Sequence, residues 1–246
     1  LMPKTKNWRV TIFRKFKKRT MQKLPLGKQD FADMRENDYL YVDKTEHIHR
    51  LISTAQYYFM SRPRRFGKSL LISTLKELFS GRQELFEGLW IHDKIDWQKH
   101  PIIHISFNTL DYKVFGLEEA LNTEMLHIAK SHNINLESKS SSGRFKEILR
   151  ELGGKTKVVI LIDEYDKPLI DYITEIDQAV ENRDILKNFY SVIKNSESYI
   201  RFLFMTGVSK FSQVSIFSDL NHLTDITLDD NYAALTGITE EELDAY

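Results

Sequence analysis

The segment between residues 57 and 75 constrains the fold more than any other part of this sequence. Four apolar residues, 57–60, precede a polar loop that ends in Gly67-Lys68-Ser69, and an apolar run with helical spacing begins at Leu70. This succession predicts a strand, a glycine-containing loop and a helix. The loop then meets the positive end of the helix dipole and free backbone N–H groups, an arrangement that favours phosphate binding.

The loop matches the phosphate-binding pattern G-x-x-x-x-G-K-[ST] except at its first position, where this chain has Arg62. In such loops the lysine, here Lys68, reaches the β- and γ-phosphates, and the hydroxyl, here of Ser69, ligates Mg²⁺. Pro63 has no N–H to donate, so the cradling amides are expected at residues 66–69. An ordinary helix start is the alternative interpretation of Gly-Lys-Ser alone.

A second segment supports the nucleotide interpretation. Residues 158–162 form a continuous apolar, β-branched run that ends in Asp163-Glu164. The run predicts a strand buried on both faces of a parallel sheet, and open α/β sheets carry their chemistry at the carboxyl ends of such strands. There, Asp163 would hold Mg²⁺ and Glu164 would orient the attacking water. Taken alone, the two acids could be solvated turn residues; together with the loop they favour a nucleotide site.

The pattern of the whole chain predicts an α/β protein, a three-layer sandwich with a mainly parallel sheet covered by helices on both faces. Strands are predicted at residues 39–42, 57–60, 102–107, 158–162, 200–205 and 223–228. Helices are predicted after Asp43 as N-cap, from Gly67 or Lys68 to about Phe79, and at residues 117–128, 145–152 and 177–193, with a loop at 138–143. The 246 residues suffice for one large domain, or one domain plus a fragment.

Charge and composition constrain the function less than the two motifs do. Lys+Arg and Asp+Glu both total 35, so net charge indicates no particular partner, and the absence of Cys fits a reducing cytoplasm. No apolar run is as long as a membrane span, which needs about 20 residues, and the chain does not begin with a secretory signal pattern. We therefore expect a cytoplasmic protein without a membrane partner.

The first 20 residues carry eight basic side chains and no acid. Residues 1–22 are therefore interpreted as a basic, flexible N-terminal extension, and residues 23–246 as the folded domain. A basic arm can bind nucleic acid. The interpretation we favour is an upstream extension ahead of a natural start at Met21.

The chain closely resembles the bacterial AAA-ATPase-like family of P-loop NTPases from about residue 23 to its end. The matching segments are Leu24-Pro25-Leu26-Gly27 with Asp30-Phe31, Tyr41-Val42-Asp43-Lys44-Thr45, Ser61-Arg62-Pro63-Arg64-Arg65-Phe66-Gly67-Lys68-Ser69, Leu161-Ile162-Asp163-Glu164-Tyr165-Asp166-Lys167-Pro168, Gly207-Val208-Ser209-Lys210-Phe211-Ser212 and Tyr232-Ala233. The resemblance implies ATP and Mg²⁺ as ligands, and that Arg62 belongs to this family's own form of the loop. The sequence also lacks the Asn-Lys-x-Asp guanine motif.

Family members often carry a C-terminal domain that resembles PD-(D/E)XK nucleases, and this chain lacks one. Residues 239–242, Thr-Glu-Glu-Glu, contain a capping box formed by Thr239 and Glu242, which starts a helix close to the end of the chain. We therefore expect a chain that is truncated where a second domain begins. The expected partners are ATP, a nuclease-like domain or partner protein, and nucleic acid.

The site residues are assigned as follows. The catalytic residues are expected to be Lys68, Glu164 and Arg65; the nucleotide contacts Arg62, Pro63, Arg64, Arg65, Phe66, Gly67, Lys68, Ser69 and Thr206; and the metal ligands Ser69 and Asp163. Arg64 or Arg65 would stabilise transition-state charge, unless both are solvated or contact Asp166. Thr206, Ser209 and Lys210 are candidate γ-phosphate sensors, with turn formation at Gly207 as the alternative. For Asp166 we favour a helix cap before Pro168 over a second metal-site acid.

The sequence thus predicts Mg²⁺-dependent ATP binding and hydrolysis that regulates an attached or partner effector. Two rivals remain open. One is a nucleotide-binding switch with negligible hydrolysis, and the other is a nucleic-acid-binding module that uses residues 1–20.

Overall fold

The computed structural model describes residues 22–209 and 223–245. In these residues, five strands form one sheet in the order β2-β3-β4-β1-β5, and every neighbouring pair is parallel. The strands are β1 (Tyr57–Ser61), β2 (Ile102–Ser106), β3 (Val158–Asp163), β4 (Ile200–Gly207) and β5 (Thr224–Asp225). The predicted α/β class with a parallel sheet is confirmed.

Helices precede, connect and follow the strands. They are α1 (Phe31–Glu36), α2 (Thr45–Thr54), α3 (Lys68–Phe79), α4 (Tyr112–Phe115), α5 (Leu117–Ser131), α6 (Ser141–Gly153), α7 (Lys167–Ile170), α8 (Ile176–Lys194) and α9 (Glu240–Ala245). Short 3₁₀ helices lie at Gln83–Phe86, Glu197–Tyr199 and Asp230–Leu235. None of the helices in the described part of the chain has both the length and the apolar character that crossing a membrane requires.

Each face of the sheet is covered by its own apolar core. Strand side chains alternate between the faces, so Leu203 and Met205 of β4 pack with α5, α6 and α8, whereas Phe202 and Phe204 pack with α1, α2 and α3. The central strands are buried on both sides because helices lie on both sides. The molecule is therefore the three-layer sandwich that the sequence predicted.

The strand order decides where the functional loops meet. Strand β4 lies between β1 and β3, with Met60 opposite Thr206 and Ile162 opposite Met205. Since all three strands are parallel, the segments that follow them leave the sheet at the same edge. The glycine-containing loop, the acidic pair and Thr206 consequently share one end of the molecule.

Two of the predicted strands are much shorter in the structure. Residues 39–42 form only an isolated bridge, between Lys23 and Tyr39, and the predicted strand at 223–228 is limited to the two residues of β5. At β5 the pairing ends because Asp225 turns back to accept a hydrogen bond from the N–H of Thr227. Strand propensity alone does not reveal that a nearby side chain will take the backbone N–H group that would otherwise pair in the sheet.

Two helix starts also differ from prediction. Lys44, not Asp43, is the N-cap residue of α2, while Asp43 Oδ1 accepts hydrogen bonds from the backbone N–H and the hydroxyl of Thr45. The predicted loop at 138–143 ends early because Ser140 caps α6 by accepting from the N–H of Gly143 at 3.2 Å. The basic arm of residues 1–20 and the positions of Lys210, Phe211 and Ser212 lie outside the described residues.

Asp171 fastens the segment after β3 to α4. Its Oδ2 accepts hydrogen bonds from the Tyr112 hydroxyl at 2.8 Å, Lys113 Nζ at 2.8 Å and Lys167 Nζ at 3.0 Å. Burial alone would raise the pKa of this carboxyl group, but the two ammonium groups and the hydroxyl outweigh it and hold the pKa well below its usual value.

We predict that Asp171→Asn lowers the free energy of unfolding by about 1.5–3 kcal/mol at neutral pH, the range for hydrogen bonds to charged groups. Because the folded pKa lies below the unfolded one, the stabilisation is present above the unfolded pKa and is lost as pH falls through the folded value. Urea unfolding of both proteins between pH 7 and pH 3 tests this. An equal difference in stability at every pH would contradict the ionic origin.

Candidate functional site

The loop that joins β1 to α3, residues 62–67, is shaped by two residues in the left-handed backbone region. Gly67 is the N-cap of α3 with φ of 83°, and Arg65 has φ of 63°. No side chain of the described residues caps this helix start. The first N–H groups of α3, which have no partner within the helix, are therefore left for an external acceptor.

Lys68 is buried beneath this loop. Its Nζ donates to the backbone carbonyl oxygens of Arg62, at 2.8 Å, and Pro63, at 2.9 Å. Burial lowers the pKa of Lys68, and the negative charges of Asp163, Glu164 and Asp166 act in the opposite direction. The loop thus folds around an ammonium group, which is the charge that a bound polyphosphate requires.

Arg62, the departure from the loop pattern, has a structural role. Its guanidinium group donates to the carbonyl oxygen of Thr227, and its backbone N–H donates to Gly207 O at 3.2 Å. The preceding N–H, of Ser61, donates to the Thr227 hydroxyl at 3.0 Å. Arg62 is not among the residues with positive φ, so this position does not need glycine. The side chain instead ties the start of the loop to the segment after β5.

A buried carboxylate joins the ends of three elements. Asp163, at the end of β3, is 4% exposed, and its Oδ2 accepts from the hydroxyl of Ser69 on α3 at 2.7 Å. Its Oδ1 accepts from the hydroxyl of Thr206 on β4, which is fully buried. The structure therefore brings the predicted residues Ser69, Asp163 and Thr206 into direct contact.

Glu164 follows this carboxylate in a strained conformation. Its φ is 56°, which is uncommon for a residue other than glycine, and such strain concentrates at functional sites. Its backbone N–H lies 3.4 Å from the hydroxyl oxygen of Thr206, and the side chain is half-buried. Among the described residues, the carboxylate of Glu164 has no hydrogen-bond or ion-pair partner, so it is available to an incoming group.

Asp166 has a role that the sequence did not reveal. It occupies the N-cap position of α7, the predicted place, but its side chain makes no capping hydrogen bond there. Its carboxylate, fully buried, accepts from the N–H groups of Val208 at 3.0 Å and Ser209 at 2.7 Å. Burial raises the pKa of Asp166, and these two amides oppose that effect. The Tyr165 hydroxyl adds a hydrogen bond to Ser209 O. Together they hold the segment after β4 against the segment after β3.

The two loop arginines face solvent. Arg64 and Arg65 are exposed, and neither forms an ion pair with any carboxylate in the described ranges, Asp166 included. Phe66 is 42% exposed beside them. These side chains are therefore free to meet a ligand at the mouth of the loop.

The donor set fits Mg²⁺ with a nucleotide. Hard cations of this kind take oxygen ligands and few protein side chains, and Ser69 with Asp163 supplies a hydroxyl and a carboxylate 2.7 Å apart. Within the described residues, no cluster of three or more His, Cys, Asp or Glu side chains forms an all-protein metal site. The backbone amides and Lys68 at the start of α3 suit the phosphates.

The parallel three-layer sandwich, with a Gly-Lys-Ser loop at the start of α3, belongs to the P-loop NTPase class. A family model described as "Predicted AAA-ATPase" matches residues 25–217, well over half of the chain. The chain belongs to this AAA-ATPase-like family, as its motifs indicated.

One relative extends well beyond this chain. It is a protein of Azotobacter chroococcum mcd 1 named "Uncharacterized protein in vnfD 5'region", and it is 47% identical over 236 residues. The match covers 91% of this chain and 44% of that protein, so the chain spans less than half of the relative's length. No solved structure matches the chain.

We predict that Asp166→Asn weakens the junction between the segments that follow β3 and β4. An asparagine offers the two amides one uncharged oxygen, so the free energy of unfolding should fall by about 1–3 kcal/mol. Urea unfolding measures this, and hydrogen exchange should show faster exchange at Val208 and Ser209. Asp93→Asn, at an exposed carboxylate, is the matched control and should change little. Equal stability of the two variants would contradict the role of Asp166.

Proposed function

We propose that this domain binds Mg²⁺-ATP and hydrolyses its γ-phosphate bond, and that the nucleotide state regulates an attached or partner effector. The observation that carries the proposal is the contact of Asp163 with both Ser69 and Thr206. The buried ammonium group of Lys68 is near enough for the charge of Asp163 to act on it. Family membership supports a nucleotide as the ligand.

Each residue then has a defined task. The amides at the start of α3 and Lys68 would bind the β- and γ-phosphates. Ser69 and Asp163 would hold Mg²⁺ with a hydroxyl and a carboxylate oxygen. When bound, Mg²⁺ neutralises charge on the phosphate oxygens. Thr206 fixes the orientation of the Asp163 carboxylate through its hydrogen bond.

Glu164 is the proposed general base. Its free carboxylate, next in sequence to Asp163, accepts a proton from the water that attacks the γ-phosphate. Arg65, whose side chain is exposed at the loop, stabilises the charge that develops in the transition state. Arg64 is the second candidate for that role.

The effector is proposed to receive its signal through the end of β4. Thr206 contacts Asp163, and Tyr165 and Asp166 hydrogen-bond to the backbone of residues 208–209. A change at the γ-phosphate therefore acts on residues 207–209. The greater length of the Azotobacter relative is compatible with an additional domain, and a nuclease-like one is proposed from the family resemblance.

We predict that Lys68→Ala weakens Mg²⁺-ATP binding by roughly 10- to 100-fold, because a charge-assisted hydrogen bond to phosphate is worth about 1.5–3 kcal/mol. Isothermal titration calorimetry measures the change. The matched control is Lys76→Ala on the last turn of the same helix, which should bind ATP as the parent does. Unchanged ATP affinity in Lys68→Ala would refute the phosphate-binding assignment.

Glu164→Gln should preserve Mg²⁺-ATP affinity and lower steady-state phosphate release by roughly 10²- to 10⁴-fold, the range for a positioned general base. Glu119→Gln, at an exposed carboxylate on α5, is the control. If Glu164→Gln hydrolyses ATP at a rate near that of the parent protein, another residue orients the attacking water. Tight ATP binding by the parent protein with no phosphate release would instead favour the nucleotide-binding switch.

A further inference from the structure

A small, largely apolar cavity of about 310 Å³ lies beside the β1–α3 loop. Most of its lining comes from three groups of residues, the segment before α2, the loop with the start of α3, and the segment before α9, and Pro25 and Met34 complete it. Its lining includes Tyr41, Val42, Phe66, Leu70, Leu235 and Thr236. The volume lies near the lower end of the roughly 300–1,000 Å³ of small-molecule sites.

The cavity adjoins the proposed phosphate site, with which it shares three residues. Arg65, Phe66 and Gly67 belong to the loop and also line the cavity. A molecule whose phosphates rest on the amides of α3 therefore has this cavity within reach. A cavity of about 490 Å³ elsewhere includes Gln56 and Arg201 at the opposite edge of the sheet, where β1 and β4 begin, and is too remote from the loop to hold part of the same ligand.

A polar group in the cavity wall lacks a partner. Thr236 is 6% exposed, and its Oγ1 has no hydrogen bond within the described residues. Burying a hydroxyl without a partner is costly, so such an atom indicates a missing one. Because a hydroxyl group both donates and accepts hydrogen bonds, it can bind either a ring nitrogen that accepts or an amino group that donates on the edge of a heterocycle.

An aromatic ring lies against the same segment. Gly237 has φ of 80°, and a Cβ on it would approach Phe66 Cε1 to 3.1 Å. Glycine at this position therefore allows the ring of Phe66 to contact the backbone of the wall. The partly exposed ring is placed where a flat base can stack on it.

The wall is fastened by a partly buried ion pair between Lys44 and Glu242. Lys44 Nζ donates to Glu242 Oε1 at 2.6 Å, and Glu242 also accepts from the N–H of Thr239 at 2.9 Å. The N–H of Glu242 in turn donates to the Thr239 hydroxyl at 3.2 Å, which completes the capping box. These contacts hold the segment before α9 over the segment before α2, so the cavity is formed in advance of binding.

We propose that this cavity binds the adenine base of the nucleotide, with Phe66 stacking on the ring and Thr236 Oγ1 hydrogen-bonding to its edge. The proposal rests on the proposed ATP-binding function and adds to it the residues that recognise the base. The apolar lining suits the faces of the ring, and the single unpaired hydroxyl suits its polar edge.

The test compares ATP with inorganic tripolyphosphate, which offers the phosphates without the base. Thr236→Val keeps the shape of the side chain and removes the hydroxyl, so ATP affinity should fall by roughly 3- to 10-fold. Phe66→Ala removes the ring and keeps the backbone N–H, with an expected loss of roughly 5- to 100-fold. Tripolyphosphate affinity should change by less than about 2-fold in both, which calorimetry with Mg²⁺ can resolve.

Matched controls are Thr174→Val and Phe115→Ala, both at exposed positions outside the cavity lining. They should bind both ligands as the parent protein does. Circular dichroism melting of each variant verifies that it is folded. If ATP binds but Thr236→Val and Phe66→Ala leave the ratio of the two affinities unchanged, the base site is refuted while the ATP-binding function stands. If the parent protein binds neither ligand, the proposed function itself fails.

Discussion

The hydrogen bonds to the Asp163 carboxylate depend on one feature of the sheet, the insertion of β4 between β1 and β3. That order places Thr206 next to Asp163, and the Ser69 hydroxyl reaches the same carboxylate from α3. A buried carboxylate is costly without such partners. The two hydroxyls therefore stabilise the charge and, at the same time, fix the relative positions of the loop, the acidic strand end and the segment after β4.

The elements that sequence could predict are those defined by local pattern. Continuous apolar runs identified β1, β3 and β4. The helical spacing after Ser69 predicted α3 with its first residue left open between Gly67 and Lys68, and in the structure the helix begins at Lys68. The predicted strands at residues 39–42 and 223–228 were too long. Their sequences have strand-like patterns, but most of their backbone groups take part in turns or in a single bridge instead of a strand ladder. Such competition depends on side chains like Asp225, whose effect a periodicity pattern does not record.

The site likewise contains residues that the sequence could identify and contacts that it could not. Lys68, Ser69 and Asp163 carry a motif, so sequence identified them, and their proximity followed from the parallel sheet. The contact of Arg62 with Thr227, the anchoring of Val208 and Ser209 by Asp166, and the cavity beside Thr236 join residues that are distant in sequence. No spacing rule predicts them, because each depends on how separate elements pack.

Two residues of the site have strained backbone conformations, which indicates that their surroundings hold them rigidly. Arg65 and Glu164 both hold left-handed backbone, a conformation that persists only when the surroundings enforce it. The surroundings here do so: the anchored Arg62 and the αL Gly67 lie on either side of Arg65, and the N–H groups of Glu164 and Tyr165 are directed toward the side-chain and backbone oxygens of Thr206. A site that is shaped before ligand arrives loses less entropy on binding. The same reasoning applies to the cavity wall that Lys44 and Glu242 hold in place.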